Sequence, residues 1–188
     1  MDGELAHGGF NAEVLATIPP MLERVAAAGD IAGFVTLIWR KGEIAQVNAV
    51  GRRDVEADLP MTRDTIFRIA SMTKPMTSAL ALMLLDEGKL RLEDPISKWA
   101  PEFANPTVMV GAEPHEVVPA TREITVEDLL TQRSGIAYDF TASPELAKAY
   151  RASLGDLFAA PPAPDAWMKA LGALPLASQP GSVFQYGH

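Results

Sequence analysis

Residues 71–87 constrain this chain more than any other stretch. Met72, Met76, Leu80, Leu82, Met83 and Leu84 leave almost no polar face after the first turn. A helix that is apolar nearly all round is a buried one. The spacing therefore predicts a central helix from Ser71 to Glu87, with Gly88 as the residue that ends it. The methionines read as core packing, because Met fills irregular gaps. Pro75 sets the start. Its missing N–H would have bonded the carbonyl of Ser71, and proline is tolerated in a first turn but not in a helix interior.

Ser71 and Lys74 would then share one face, a turn apart. A serine hydroxyl is a poor nucleophile until a base takes its proton, and Lys74 can help do that. The free N–H groups and the dipole of a helix N-terminus also favour an oxyanion formed in acyl transfer. The pair alone is weak evidence. With 8 Ser and 6 Lys in 188 residues, chance supplies roughly a quarter of such a match. A surface Ser and Lys on a helix is the bland alternative.

The rest of the chain supplies context. Asn11 to Ala28 have helical spacing, with Val14, Leu15, Ile18, Leu22 and Val25 as the buried stripe and a break or restart at Pro19-Pro20. Phe34 to Trp39 and Ile44 to Val50, joined by Lys41-Gly42, read as a β-hairpin. Residues 1–10 read as a mobile start, 51–64 as a polar connection and 105–121 as a loop. Leu90 and Leu92 read as extended. Asp94 is expected to cap a turn over Pro95 to Trp99. Thr125 and Asp128 resemble a capping box, with Leu129 and Leu130 packing inward. Ser143-Pro144-Glu145 starts a helix to about Ser153. The proline-rich 158–165 is a loop, and Asp165 caps Ala166 to Leu171. Trp39, Trp99 and Trp167 read as structural.

Composition removes several function classes. The net charge of −8 argues against nucleic acid as a partner. The absence of Cys excludes disulfides, thiolate catalysis and Cys-based metal sites. No His/Asp/Glu cluster has metal spacing: Asp54, Asp58 and Asp64 are spaced wrongly for an EF-hand, and His7 and His115 read as solvated. No cofactor is expected. No apolar run is long enough to span a membrane, and Met1-Asp2-Gly3-Glu4 does not look like a secretory signal. The expectation is a cytoplasmic protein that does not bind membranes. Oligomeric state is left open.

The landmarks, in order, resemble the serine β-lactamase and penicillin-binding fold, in the branch of class C β-lactamases and family VIII esterases. Phe67 to Lys74, Pro75-Met76-Thr77 and the helix to Glu87-Gly88-Lys89-Leu90 resemble the first motif. Leu92 to Ile96 with Pro101-Glu102-Phe103 resemble the segment after it. Ile124 to Ile136 resemble the next landmark, with Gln132-Arg133-Ser134-Gly135 where the family usually has His-Thr-Ser-Gly. Pro180 to Tyr186 resemble the approach to the second motif.

The resemblance implies an α+β fold: an antiparallel sheet with flanking helices plus a mostly helical insert. Residues 1–70 would supply an N-terminal helix and hairpin. Residues 71–188 would supply the catalytic helix and an incomplete helical domain, cut off before the C-terminal strands. The expectation is a fragment of a protein roughly twice as long, since a two-stranded hairpin is marginal alone. The resemblance also assigns roles. Ser71 is the nucleophile. Lys74 and Tyr186 form the acid–base pair, because a tyrosine of ordinary pKa about 10 needs a nearby cation to act as a base near neutral pH. Tyr138 stands where the family has a substrate-facing aromatic, and packing is its alternative. His188 replaces the Asn of Tyr-x-Asn. It reads either as a pocket residue or as a polar residue opening a further helix.

The implied activity is a serine carboxylesterase acting on short-chain, small-molecule esters, with acyl transfer to alcohols as a second outcome. A β-lactamase or D-Ala-D-Ala carboxypeptidase is one alternative. A non-catalytic ligand-binding module on the same fold is another.

Overall fold

The computed structural model describes residues 5–111, 116–155, 160 and 162–188. His115 and part of the 158–165 loop lie outside the described residues. The architecture is α+β, and the chain divides into two compact units, Met1–Ala70 and Ser71–His188.

In the first unit, β1 (Leu5–Ala6) pairs antiparallel with β2 (Phe10–Asn11). Residues 5–11 are thus tied into a ladder rather than a mobile start. Asn11 caps α1 (Ala12–Leu15) by accepting from the Val14 N–H. The chain restarts as α2 (Ile18–Ala27), with Pro19 and Pro20 in its first turn, where their missing donors cost no helix bond. Only Leu15 and Leu22 of the expected stripe are buried; Val14 and Val25 are exposed. The hairpin forms β3 (Gly33–Arg40) and β4 (Glu43–Asp54). Lys41 and Gly42 both take left-handed φ in its turn (52° and 84°), as a tight hairpin of this twist requires. The polar connection contributes a third, two-residue strand, β5 (Leu59–Pro60), on the edge of β4. Pro60 is tolerated there because an edge strand leaves one side unpaired.

In the second unit, α3 spans Thr73–Asp86 and is entered through a 3₁₀ turn over Ala70–Met72. Its burial departs from expectation. No residue of α3 is buried; Leu80 is 61% exposed and Met83 57%, and the N-cap Met72 is 65% exposed. The methionines at 72, 76 and 83 are therefore not core residues of this chain. The physical reason is that a helix apolar on every side needs neighbours on every side, and the described residues do not enclose it.

The core of this unit lies elsewhere, around Phe103, Val108, Ile124, Leu146, Tyr150 and Leu176. The 105–121 stretch is not a plain loop. β6 (Thr107–Met109) pairs antiparallel with β7 (Val117–Pro119). Thr125 caps α4 (Val126–Leu130) in a complete capping box, with Asp128 closing it. Leu130 packs against the core, whereas Leu129 is exposed. Asp128 also takes both Nη atoms of Arg122. Burial pushes the Asp128 carboxyl up, but Arg122 and the Thr125 N–H outweigh it and hold it below the usual range.

Ser143 caps α5 (Pro144–Leu154), and α6 runs over Pro164–Gly172. Asp165 lies inside the first turn of α6 rather than capping it. Asp94 likewise accepts from the Arg91 N–H and Lys98 instead of capping the next turn. Residues 90–92 are not a strand. Trp167 packs on the core, while Trp39 and Trp99 are exposed.

Candidate active site

Ser71 is exposed in the 3₁₀ turn at the head of α3. The residue before it, Ala70, holds φ at +44°. A non-glycine residue in that region carries strain, and such strain clusters at functional sites. Lys74 is the second residue of α3, and Pro75 follows in the first turn.

Two tyrosines converge on Lys74. Its Nζ donates to the Tyr138 hydroxyl at 2.9 Å and lies 4.8 Å from the centre of the Tyr186 ring. Burial, the largest single influence, favours a neutral amine. The hydrogen bond and charge interaction with Tyr138, together with the phenol of Tyr186, exceed it, so Lys74 sits above the ordinary lysine pKa. At neutral pH the group at this position is a cation.

His188 joins the same cluster. Its ring centre lies 4.2 Å from that of Tyr138, 5.4 Å from Trp167 and 6.0 Å from Tyr150. Burial, then the charge of Lys74, lowers its pKa, against a smaller opposing pull from Asp139. Tyr138 also stacks on Phe140, which is 74% exposed, with ring centres 4.8 Å apart. Thus Lys74, Tyr138, Tyr186 and His188 are brought together, and Ser71 stands three residues before Lys74 in the turn that leads into α3.

The segment carrying Tyr186 lies against residues 132–141. The Gln185 N–H donates to the Gln132 carbonyl at 2.8 Å, and the Gly187 N–H to Gln132 Oε1 at 3.2 Å. Gly187 permits this approach, because a Cβ there would lie 1.9 Å from the Ile136 carbonyl oxygen. Thr141 Oγ1 accepts from the Tyr138 N–H at 2.9 Å and lies 3.1 Å from the Tyr186 carbonyl. Sequence reasoning missed Thr141, which carries no motif. The departure from His at Gln132 was the one visible signal at that position. Among the described residues, no group of three or more His, Asp or Glu could hold a metal, and no helix is long and apolar enough to cross a membrane.

The Beta-lactamase family model matches residues 20–188. The chain belongs to the beta-lactamase family. Protein Rv1367c of Mycobacterium tuberculosis (strain ATCC 25618 / H37Rv) is 46% identical over 170 residues, 89% of this chain and 41% of that protein. Esterase EstB of Burkholderia gladioli is 35% identical over 127 residues, 68% of this chain and 30% of that one. The solved structure of EstCE1, "a hydrolase with promiscuous acyltransferase activity", superposes with a TM-score of 0.73 at 28% identity, covering 93% of this chain and 44% of that one. The chain spans less than half the length of these relatives. Its relatives thus include an esterase and a hydrolase with promiscuous acyltransferase activity.

Proposed function

We propose that this chain carries the nucleophile and proton-transfer groups of a serine carboxylesterase for short-chain esters, with acyl transfer to alcohols as a competing outcome. The observation that carries the reading is the Lys74 ammonium, hydrogen-bonded to Tyr138 at 2.9 Å and lying 4.8 Å from the Tyr186 ring. Ser71 Oγ attacks the ester carbonyl, and its proton passes to the Tyr186 oxygen. Because Lys74 remains charged at neutral pH, it serves as the cation that makes a phenolate beside it less costly. The Ser71 N–H, at the head of α3, supplies one donor to the oxyanion. Collapse expels the alcohol, which takes the proton back from Tyr186. Water or a second alcohol then attacks the acyl-serine by the same route in reverse.

His188 in place of an amide side chain weighs toward esters over β-lactams or peptides. Similarity to an esterase and to a hydrolase with promiscuous acyltransferase activity supports the same direction. The test is turnover of p-nitrophenyl acetate and butyrate by the full-length protein and its Ser71→Ala variant, beside nitrocefin. The expected result is ester hydrolysis lost in Ser71→Ala and little nitrocefin turnover. Ester hydrolysis that survives Ser71→Ala refutes the mechanism, and nitrocefin turnover matching ester turnover makes the protein a β-lactamase instead.

A further inference from the structure

Three features of residues 132–141 converge on the backbone of Tyr186. Gln132 holds φ at +56°, a region costly for a residue with a Cβ. From that position its carbonyl accepts from the Gln185 N–H and its side-chain Oε1 from the Gly187 N–H, so one residue grips both neighbours of Tyr186. On the other side, the Thr141 hydroxyl accepts from the Tyr138 N–H at 2.9 Å. Its single proton is directed at the Tyr186 carbonyl at 3.1 Å and the Tyr138 carbonyl at 3.2 Å. The Thr141 carbonyl in turn accepts from Gln185 Nε2 at 3.1 Å. The two phenols that bracket Lys74 are therefore carried on backbones tied by one hydroxyl.

We infer that Gln132 and Thr141 are positioning residues, and that the Thr141 hydroxyl sets the separation of Tyr138 and Tyr186 across Lys74. This rests on the proposed reading of Tyr186 as the proton acceptor. Neither residue touches the reacting atoms; each acts through the backbone of a tyrosine. The consequence is a selective one. Loss of the Thr141 hydroxyl displaces the acceptor relative to Ser71 and lowers kcat, while ester binding, and hence KM, is left in place. Displacements of about 1 Å in a reacting group cost on the order of a hundredfold.

The experiment compares Thr141→Val, Thr141→Ser and Gln132→Ala in the full-length protein. The readouts are kcat and KM for p-nitrophenyl butyrate and the ¹³Cζ NMR shifts of labelled tyrosines, assigned with Tyr138→Phe and Tyr186→Phe. Valine preserves the shape of threonine and removes the hydroxyl; serine keeps the hydroxyl. The inference expects a tenfold or greater loss of kcat in Thr141→Val with KM within twofold, shifts of both tyrosine signals, and restoration of both readouts in Thr141→Ser. Gln132→Ala moves the Tyr186 signal and lowers kcat even if Thr141→Val folds poorly. Unchanged tyrosine signals and kcat in both Thr141→Val and Gln132→Ala overturn the inference, as does a serine variant as impaired as the valine one. A wild-type protein without Ser71-dependent turnover refutes the proposed function instead. The tyrosine signals then still report whether the tie exists.

Discussion

Gly187→Ala puts the placement of Tyr186 to a quantitative test. A Cβ at residue 187 would stand 1.9 Å from the Ile136 carbonyl oxygen and 2.8 Å from its carbonyl carbon. Both are backbone atoms, so no rotamer change relieves the overlap. Moving the closer contact out to the 3.4 Å of ordinary van der Waals approach requires a separation of about 1.5 Å, on the scale at which misplaced catalytic groups lose about a hundredfold in rate. Ile136 and Ala137 are buried and cannot retreat, so the movement falls on residues 185–188 and carries Tyr186 with it. The expected loss in kcat is about a hundredfold, equivalent to about 2.7 kcal/mol, with a stability cost of about 1–3 kcal/mol for overpacking. The assay is steady-state hydrolysis of p-nitrophenyl butyrate well below the melting temperature, with active serine counted by a fluorophosphonate. Fully folded Gly187→Ala protein with kcat within threefold of wild type would refute the claim that this close approach positions Tyr186.

Two further outcomes test the supports around the site. Asp128→Asn keeps the shape of the capping side chain but removes the charge facing Arg122. Because Arg122 is 43% exposed, the stranded cation can reach water, and the expected loss is about 2 kcal/mol; an unchanged urea midpoint would show that the ion pair contributes nothing net. His188 has its folded pKa lowered from 6.5, by burial first and by Lys74 second. The unfolded chain then binds the proton more readily, so stability falls as pH drops from about 6.5 toward the lower folded value. His188→Gln removes that contribution, and urea midpoints measured from pH 7 downward should slope less steeply than in wild type. Equal slopes would refute it.

Several helix starts were legible in the sequence, whereas the supports of the candidate site were not. Thr125 and Ser143 cap helices through side-chain oxygens within three residues, so local chemistry alone located them. The expected helix over 71–87 is close to the observed Thr73–Asp86, because Pro75 and Gly88 bracket it. β6 and β7 were invisible because each has three residues, too few for a period, and Pro106 and Pro119 at their margins read as loop. Gln132 and Thr141 were hidden for a deeper reason. Their work is done on backbone atoms about 45 to 55 residues away in the chain, and a backbone partner leaves no residue-type signature in the sequence.

The exposure of α3 separates two ways in which the site is built. On the tyrosine side, Tyr138 and Tyr186 are fixed by directional bonds to Thr141 and Gln132, beside a core that buries Ile136, Ala137 and Tyr150. On the Ser71 side, Ser71 and Lys74 stand at the head of a 14-residue helix with no buried residue. Helices of that length are marginal in water without tertiary packing, so the position of Ser71 depends on what encloses the apolar body of α3. The polar ties of the tyrosines do not depend on that enclosure. Apolar substitutions on α3 such as Leu80→Ala should therefore act through the placement of Ser71, and leave the Tyr138–Thr141–Tyr186 arrangement unchanged.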